Sequence, residues 1–426
     1  MVSKPKKVPS GRLGRGAVVG AAAVKVGAKH AAHVGTRAFM NEESRHLADL
    51  ENEEAIAKLV FDALCLLRGC ALKAAQLLAM EIEILPEALR KELAKSASQV
   101  PPMNRALLGK VLRFELRAPP NRVFGAFDSM PFAAASLGQV HAAEDGDGRP
   151  LAVKVQYPGM AEGIKADFDL LKGVLTPTRY HHIFAKCFPV IRDKIFEELD
   201  YRNEAQNTRF FKEAFDPGKY VVPRVYEAYS TARVITTERV RGRHLEAWLK
   251  TEPSRAIRDH FGQRLVDFFH EAAFEHHLIH SDPNPGNFLF RDDGRLGVID
   301  FGCCSKLRPE FVDTLSELLR GDTLSVAEAK RLHQRIGIHY RRDETDESYS
   351  RFMSEWVSWL REPYGASGFD FAENRDYFER GQRFRRDFLR YIDHYEGDFA
   401  YYGRTLHGVM RILQQLGAHV KMTPPF

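Results

Sequence analysis

His280-Ser281-Asp282-Pro283-Asn284-Pro285-Gly286-Asn287, followed by Val298-Ile299-Asp300-Phe301-Gly302, is the stretch on which the reading of this chain turns. Asn287 stands five residues after Asp282, and Asp300 thirteen after Asn287. Apolar pairs on either side of Asp292-Asp293-Gly294 predict a short hairpin that carries the chain from Asn287 back to Asp300. A carboxamide and a carboxylate returned to one place are hard oxygen ligands suited to Mg²⁺, and Asp282 is placed to orient or deprotonate an attacking oxygen. Phosphoryl transfer asks for that arrangement, because it needs positioning and charge neutralisation more than covalent help from the protein. An Asp-Phe-Gly tripeptide alone often only ends a strand at a turn, but that explanation does not cover two motifs at matched spacing. His280 itself reads as a packed structural residue.

Upstream, Ala152-Val153-Lys154-Val155 has the form of a strand that aims a lysine at the α and β phosphates of a nucleotide. Before it, Ala133-Ala134-Ala135-Ser136-Leu137-Gly138-Gln139-Val140 overlays a Gly-x-Gly-x-x-Gly-x-Val phosphate loop, with alanine at the first two glycine positions. Methyl groups there restrict φ and hold backbone amides farther from phosphate, which predicts nucleotide binding with altered γ-phosphate geometry. Glu204, in a helical stretch, is the candidate carboxylate partner of Lys154. Glu238 and Val240, after the strand-like Val234 to Thr237, are placed to offer backbone groups to adenine.

The wider pattern fits these assignments. Residues 52–95 show helical periodicity, and Pro101-Pro102 and Pro119-Pro120 punctuate the next stretch of chain. Ser136 to Ala143 and Leu151 to Gln156 predict a hairpin around Asp145-Gly146-Asp147-Gly148. A helical stretch from about Gly163 to Phe215 comes next, and then Tyr220 to Pro223 and Arg233 to Thr237 read as strands of the same small sheet. Beyond Gly242 the chain reads as helical, except from Gly286 to Ile299. The expected fold is α+β, a bilobal protein-kinase-like architecture with a helical N-terminal extension. Its expected boundaries are a basic arm at 1–40, the helical extension at 41–128, a kinase-like N-lobe with inserted helices at 129–240, and a helical C-lobe at 241–426.

Composition narrows the function. The net charge of +5 is concentrated in residues 1–40, which hold eight Lys and Arg and no acid, so the remainder is net −3. The body is therefore not broadly basic, which argues against nucleic acid, while the arm suits an anionic lipid surface or an acidic partner. Its apolar run from Gly16 to Val24 falls short of the about 20 residues a spanning helix needs. The five cysteines, Cys65, Cys70, Cys187, Cys303 and Cys304, are scattered and odd in number, which favours a reducing compartment and packed thiols at 303 and 304. Two absences bear on substrate. Asn284 stands where protein kinases keep a phosphate-contacting lysine, and no long activation segment separates Asp300 from Pro309-Glu310, so a peptide-docking platform is not expected.

With those motifs in place, the chain resembles the UbiB family of atypical kinases, most closely its ubiquinone-biosynthesis (coenzyme Q) branch. The resemblance runs from Val8 to about Lys421 and includes Val8 to Arg15, Arg68 to Lys73, Pro131 to His141, Val153 to Gly159 and Glu198-Leu199-Asp200-Tyr201. It implies an alanine-rich nucleotide loop, ATP or ADP with Mg²⁺ as ligands, a helical extension packed across the active site, peripheral membrane association, and ATPase activity supporting quinone biosynthesis. The family's Lys-x-Gly-Gln motif falls on Lys73-Ala74-Ala75-Gln76, with Ala75 in place of glycine. The resemblance implies that Lys73 meets Glu198 or Asp200 over the nucleotide and occludes a bulky protein substrate; without it, Lys73 and Gln76 read as solvated residues on one helix face.

The sequence thus predicts an atypical kinase or ATPase that binds Mg-adenine nucleotide, with an anionic membrane surface and quinone-pathway lipid or enzymes as partners and a homodimer as an open arrangement. The predicted place is cytoplasmic and peripheral to a membrane, or the mitochondrial matrix face in a eukaryote. The alternatives are a small-molecule phosphotransferase of aminoglycoside or choline kinase type, and a nucleotide-binding scaffold for lipid enzymes without turnover.

Overall fold

The computed structural model describes residues 103–135, 137–160, 196–320, 325–340 and 347–422 apart from 385, 386, 388 and 389, with a few positions before 53. Lys73, Gln76 and Ser136, and most of the helical stretch expected from 163 onward up to 195, lie outside the described residues. The chain divides into two compact units, Met1–Ala205 with Val225–Arg239 and Gln206–Arg224 with Val240–Phe426.

In the first unit, helix α1 (Arg105–Leu116) starts where the Asn104 side chain accepts the Leu107 amide at 2.9 Å, satisfying one of the donors a helix start leaves open. Strands β1 (Ala126–Ala135), β2 (Gly138–Glu144) and β3 (Pro150–Gln156) come after it, so β1 begins inside the stretch read as helical extension. Next come helix α2 (Tyr201–Ala214), whose residues through Ala205 belong to this unit, and, after strand β4 (Tyr220–Val221) of the second unit, strand β5 (Val234–Glu238). The sheet order is β1-β2-β3-β5, antiparallel throughout.

Alternation along β3 decides which side chains serve the core. Leu151, Val153 and Val155 are fully buried and cluster with Leu108 and Leu112 of α1, while Ala152 and Lys154 take the other face. Each such aliphatic side chain contributes about 1.5–3 kcal/mol on leaving water, so the register that places Lys154 on the opposite face is strongly enforced.

The reading of Tyr220 to Pro223 as part of this sheet is corrected. Strand β4 lies in the second unit and pairs in parallel with β8 (Leu296–Val298), Tyr220 against Leu296 and Val221 against Gly297. Pro223 has no amide to extend a ladder, and the buried Tyr220 ring packs on Phe215 and Phe268.

The second unit also contains α3 (Leu245–Leu249), α4 (Arg255–His270) running into a wider turn at Glu271–Glu275, β6 (Leu278–His280), β7 (Phe288–Phe290) and β9 (Cys304–Lys306). It continues through α5 (Pro309–Arg320), α6 (Val326–Arg335), β10 (Ile338–Tyr340), α7 (Glu347–Arg361), β11 (Phe369–Asp370), α8 (Tyr377–Gln382), β12 (Ile392–Tyr395), α9 (Gly397–Leu416) and β13 (His419–Val420). One aromatic-rich core, with Phe211, Phe261, Phe290, Phe301 and Phe311 almost wholly buried, holds it together. The pairs β6 with β9, β10 with β12 and β11 with β13 were not legible as strands. Elements of two to four residues are too short to show an alternation, and their partners lie tens of residues away. Helix α5 begins at Pro309, which leaves only a short connection after Asp300. Among the described residues no helix is long and apolar enough to cross a membrane.

Candidate functional site

In the first unit, Lys154 reaches across from β3 to the first turn of α2, where its ammonium donates to both carboxylate oxygens of Glu204 at 3.0 and 2.9 Å. The two side chains are 13% and 7% exposed, so this pair sits in a poorly solvated setting that demands mutual neutralisation. The amides at the start of α2 favour the Glu204 carboxylate, and the Tyr201 ring lies 5.3 Å from the lysine nitrogen. The structure therefore brings together the lysine and glutamate singled out in the sequence.

The alanine segment forms the tip of the β1–β2 hairpin. Ala133, Ala134 and Ala135 pair with Val140, Gln139 and Gly138, and Ala133 and Ala134 are exposed. Gly138 is required for close approach, since a Cβ there would collide with the Val155 carbonyl oxygen and lie 3.0 Å from Tyr201 Oη. Glu238 ends β5 opposite Leu151, exposed, and Val240 is half-buried in the second unit.

Glu198 is buried beside the start of α2. Asp200 caps that helix, its carboxylate accepting the Arg202 amide at 3.1 Å. Buried Gln156, the last residue of β3, donates to the Leu199 carbonyl at 2.8 Å and so ties this segment to the lysine strand. Sequence reasoning did not assign Gln156 a role; its place two residues after Lys154 on the same strand face was the available signal.

In the second unit, β6 and β9 pair with His280 opposite Cys304, and the Ser281 amide donates to the Cys303 carbonyl at 2.8 Å. The two loops that leave this ladder carry Asp282 and Asp300. Asn287 closes a single helical turn, Pro285–Asn287, and its amide group donates to the Asp282 carbonyl at 2.9 Å and to Asp282 Oδ2 at 3.1 Å. With both contacts made through Nδ2, the Asn287 carbonyl oxygen is turned away from Asp282. The Ile299 amide donates to the Asn287 backbone carbonyl at 3.1 Å, which couples Asn287 to the segment entering Asp300. Asp300 Oδ1 accepts the Gly302 amide at 3.0 Å.

Asp282, Asn287 and Asp300 are all partly exposed, and the oxygens they present are of the hard type Mg²⁺ takes. No group of three His, Cys, Asp or Glu side chains among the described residues could hold a metal by itself.

Behind the loops, His280 donates through Nε2 to the Asp300 carbonyl, and its ring lies edge-on to buried Phe301. A carbonyl only accepts, so the proton sits on Nε2. Phe301 also packs at a tilt against Phe211 of α2, and the Asn207 side chain of that helix donates to the Phe301 carbonyl at 3.0 Å. Asn207, one turn after Glu204, was missed in the sequence, where a lone helical asparagine carries no signal. Cys303 and Cys304 are buried thiols outside any disulfide, as read from their adjacency.

The family model of the ABC1 atypical kinase-like domain matches residues 95–331. The chain is 30% identical to the mitochondrial atypical kinase COQ8B of Rattus norvegicus, over 87% of this chain and 71% of that protein. It is 31% identical to the mitochondrial atypical kinase coq-8 of Caenorhabditis elegans, over 77% of this chain and 46% of that protein. Against mitochondrial COQ8B of Danio rerio the figures are 31% identity, 74% and 52%, so the chain spans about half the length of these last two relatives. Among solved structures, the Rv3197–erythromycin complex from Mycobacterium tuberculosis matches with a TM-score of 0.63 and 28% identity, covering 89% of this chain and 96% of that one.

Proposed function

The chain belongs to the ABC1 (UbiB) family of atypical kinase-like proteins, and from that premise we propose that it binds Mg-adenine nucleotide and turns it over as an atypical kinase or ATPase supporting isoprenoid quinone (ubiquinone) biosynthesis at a membrane surface. The observation that carries the reading is the hydrogen bonding of Asn287 to Asp282, together with the Ile299 amide on the Asn287 carbonyl, which joins the acid, the carboxamide and the approach to Asp300 in one network.

Lys154, held straight by Glu204, engages the α and β phosphates. The amides of 133–140 and the Gly138 approach lie along the phosphate chain, with Glu238 and Val240 taking adenine. Asn287 and Asp300 would hold Mg²⁺, which when bound would supply positive charge to neutralise phosphate. Asp282 orients the attacking oxygen and accepts its proton. Lys73 and Gln76, with Glu198 and Asp200, restrict access by bulky acceptors. The basic arm at 1–40 supplies attraction to anionic lipid, and the quinone assignment draws on the relatives named above.

The test uses purified full chain. A fluorescent ADP analogue is titrated with and without Mg²⁺, and phosphate release is followed with anionic vesicles and a quinone-head-group phenol. Expected are Mg²⁺-dependent binding, turnover stimulated by both additions, and loss of turnover in Asp300→Asn. Absence of nucleotide binding refutes the proposal; binding without turnover in the wild type selects the scaffold alternative; a rate indifferent to vesicles removes the membrane from it.

A further inference from the structure

We infer that Arg404 and Gly408, one turn apart on α9, are positioning residues that hold the Asp282 loop from behind, an inference resting on the role proposed above for Asp282. Two contacts on one helix face bracket that residue. Arg404 Nη2 donates to the Ser281 carbonyl at 2.9 Å, immediately before Asp282, and lies 3.9 Å from Cys303 Sγ. Because the Ser281 amide donates to the Cys303 carbonyl, the guanidinium sits against the ends of both segments, the one entering Asp282 and the one leaving Asp300.

The second contact falls immediately after Asp282. A Cβ at Gly408 would lie 2.8 Å from Pro283 Cβ and closer still to Cγ, so the helix backbone reaches the proline ring directly. Glycine inside a twenty-residue helix weakens that helix, and its presence calls for a packing reason. Gly403 on the same helix has nothing within 4 Å of its Cβ position, so the contact belongs to 408 and is not general to the helix.

The helix behind these contacts is anchored in the core. Val409, Met410, Leu413 and Leu416 of α9 are buried in the core of the second unit. Between its two anchored neighbours, Asp282 has a carbonyl that accepts from both Asn284 N and Asn287 Nδ2, which fixes the backbone from which its carboxylate projects. Shifting the loop moves the carboxylate away from an attacking oxygen and leaves the nucleotide contacts assigned to Lys154 and 133–140 unchanged.

Full-chain Arg404→Ala, Arg404→Lys and Gly408→Ala are compared with wild type by nucleotide affinity, by kcat and KM for ATP, and by hydrogen exchange of peptides covering 281–287 and 409–416. Misplacing a reacting group by about 1 Å costs on the order of a hundredfold. Arg404→Ala and Gly408→Ala are therefore expected to lose kcat on that scale while nucleotide Kd changes less than about twofold. Loss of the Ser281 anchor speeds exchange in 281–287 by about tenfold, the equivalent of one hydrogen bond, and leaves 409–416 unchanged. Arg404→Lys, which retains a donor but not the planar fork, restores part of kcat.

Unchanged exchange in 281–287, or equal acceleration in 409–416, overturns the inference. So does wild-type kcat in Arg404→Ala. If wild type itself shows no turnover, the proposed function fails, and the exchange comparison alone decides the loop-holding role.

Discussion

Removing one member of the Lys154–Glu204 pair should be far more costly than removing both. At 2.9 Å and an effective dielectric of about 20, the two charges attract by roughly 6 kcal/mol. Holding each ion in a site where its side chain is only 13% or 7% exposed costs several kcal/mol, so the intact pair comes out near neutral for stability. Lys154→Met leaves Glu204 charged and buried without its cation, and Glu204→Leu leaves Lys154 in the same position. Each should cost about 3–5 kcal/mol locally, while the double variant should lie within about 1 kcal/mol of wild type. Tryptophan fluorescence would miss the effect, because Trp248, Trp356 and Trp359 all belong to the second unit. Hydrogen exchange of a peptide spanning 150–156 reads it directly. A loss of 3 kcal/mol accelerates exchange there by about 150-fold at 1.36 kcal/mol per factor of ten, and the double variant should return most of the protection. Additive single and double effects, or single effects under about fivefold, would refute the view that this is a desolvated, mutually dependent pair.

Gly138→Ala should push β2 away from the Val155 carbonyl, destabilise the hairpin by about 1–3 kcal/mol and weaken nucleotide binding; an unchanged Kd together with unchanged exchange in 138–156 would count against the close-approach role. Burial pushes the His270 imidazole down to about 3, and His333 down to about 4. Their unfolded forms take up protons below about pH 6.5 while the folded forms do not, so both favour folding at neutral pH and lose that contribution as pH falls. Each contributes a slope of up to about 1.4 kcal/mol per pH unit between 6.5 and its depressed value, and His270→Phe should remove one such slope from urea midpoints followed by tryptophan fluorescence. Parallel profiles for variant and wild type would contradict the burial argument. Asn207→Ala should uncouple the Phe301 carbonyl from α2 and lower turnover more than nucleotide affinity, measured by phosphate release against ADP-analogue titration; equal losses in both would point to a collapsed fold.

The parts of this protein legible from sequence are those in which nearby residues do the work. Asp282, Asn287 and Asp300 lie on one supersecondary unit, a loop, a short hairpin and a return, so their spacing already restricts where their oxygens go. Lys154 was legible because strand alternation places it opposite three aliphatic neighbours that must be buried. Some choices were open locally. Tyr220 and Val221 have strand character in any sheet, and only the arrangement of the second unit pairs them with Leu296 and Gly297.

Long-range contacts settled the remainder. Glu204 lies fifty residues from Lys154 and is one of several acids near α2; the choice among them is made by which helix turn faces β3, a matter of packing. Asn207, Gln156, Arg404 and Gly408 carry no pattern in a single sequence, since a helical amide, a strand-end amide, a basic residue and a glycine each have many ordinary explanations. Their partners Phe301, Leu199, Ser281 and Pro283 are 43 or more residues away. Sequence therefore determined which candidate groups stand together, because that depends on the residue types present at short spacing. Tertiary structure decided which backbone atoms hold those groups still, because a hydrogen bond or a van der Waals contact at that range depends on how whole elements pack.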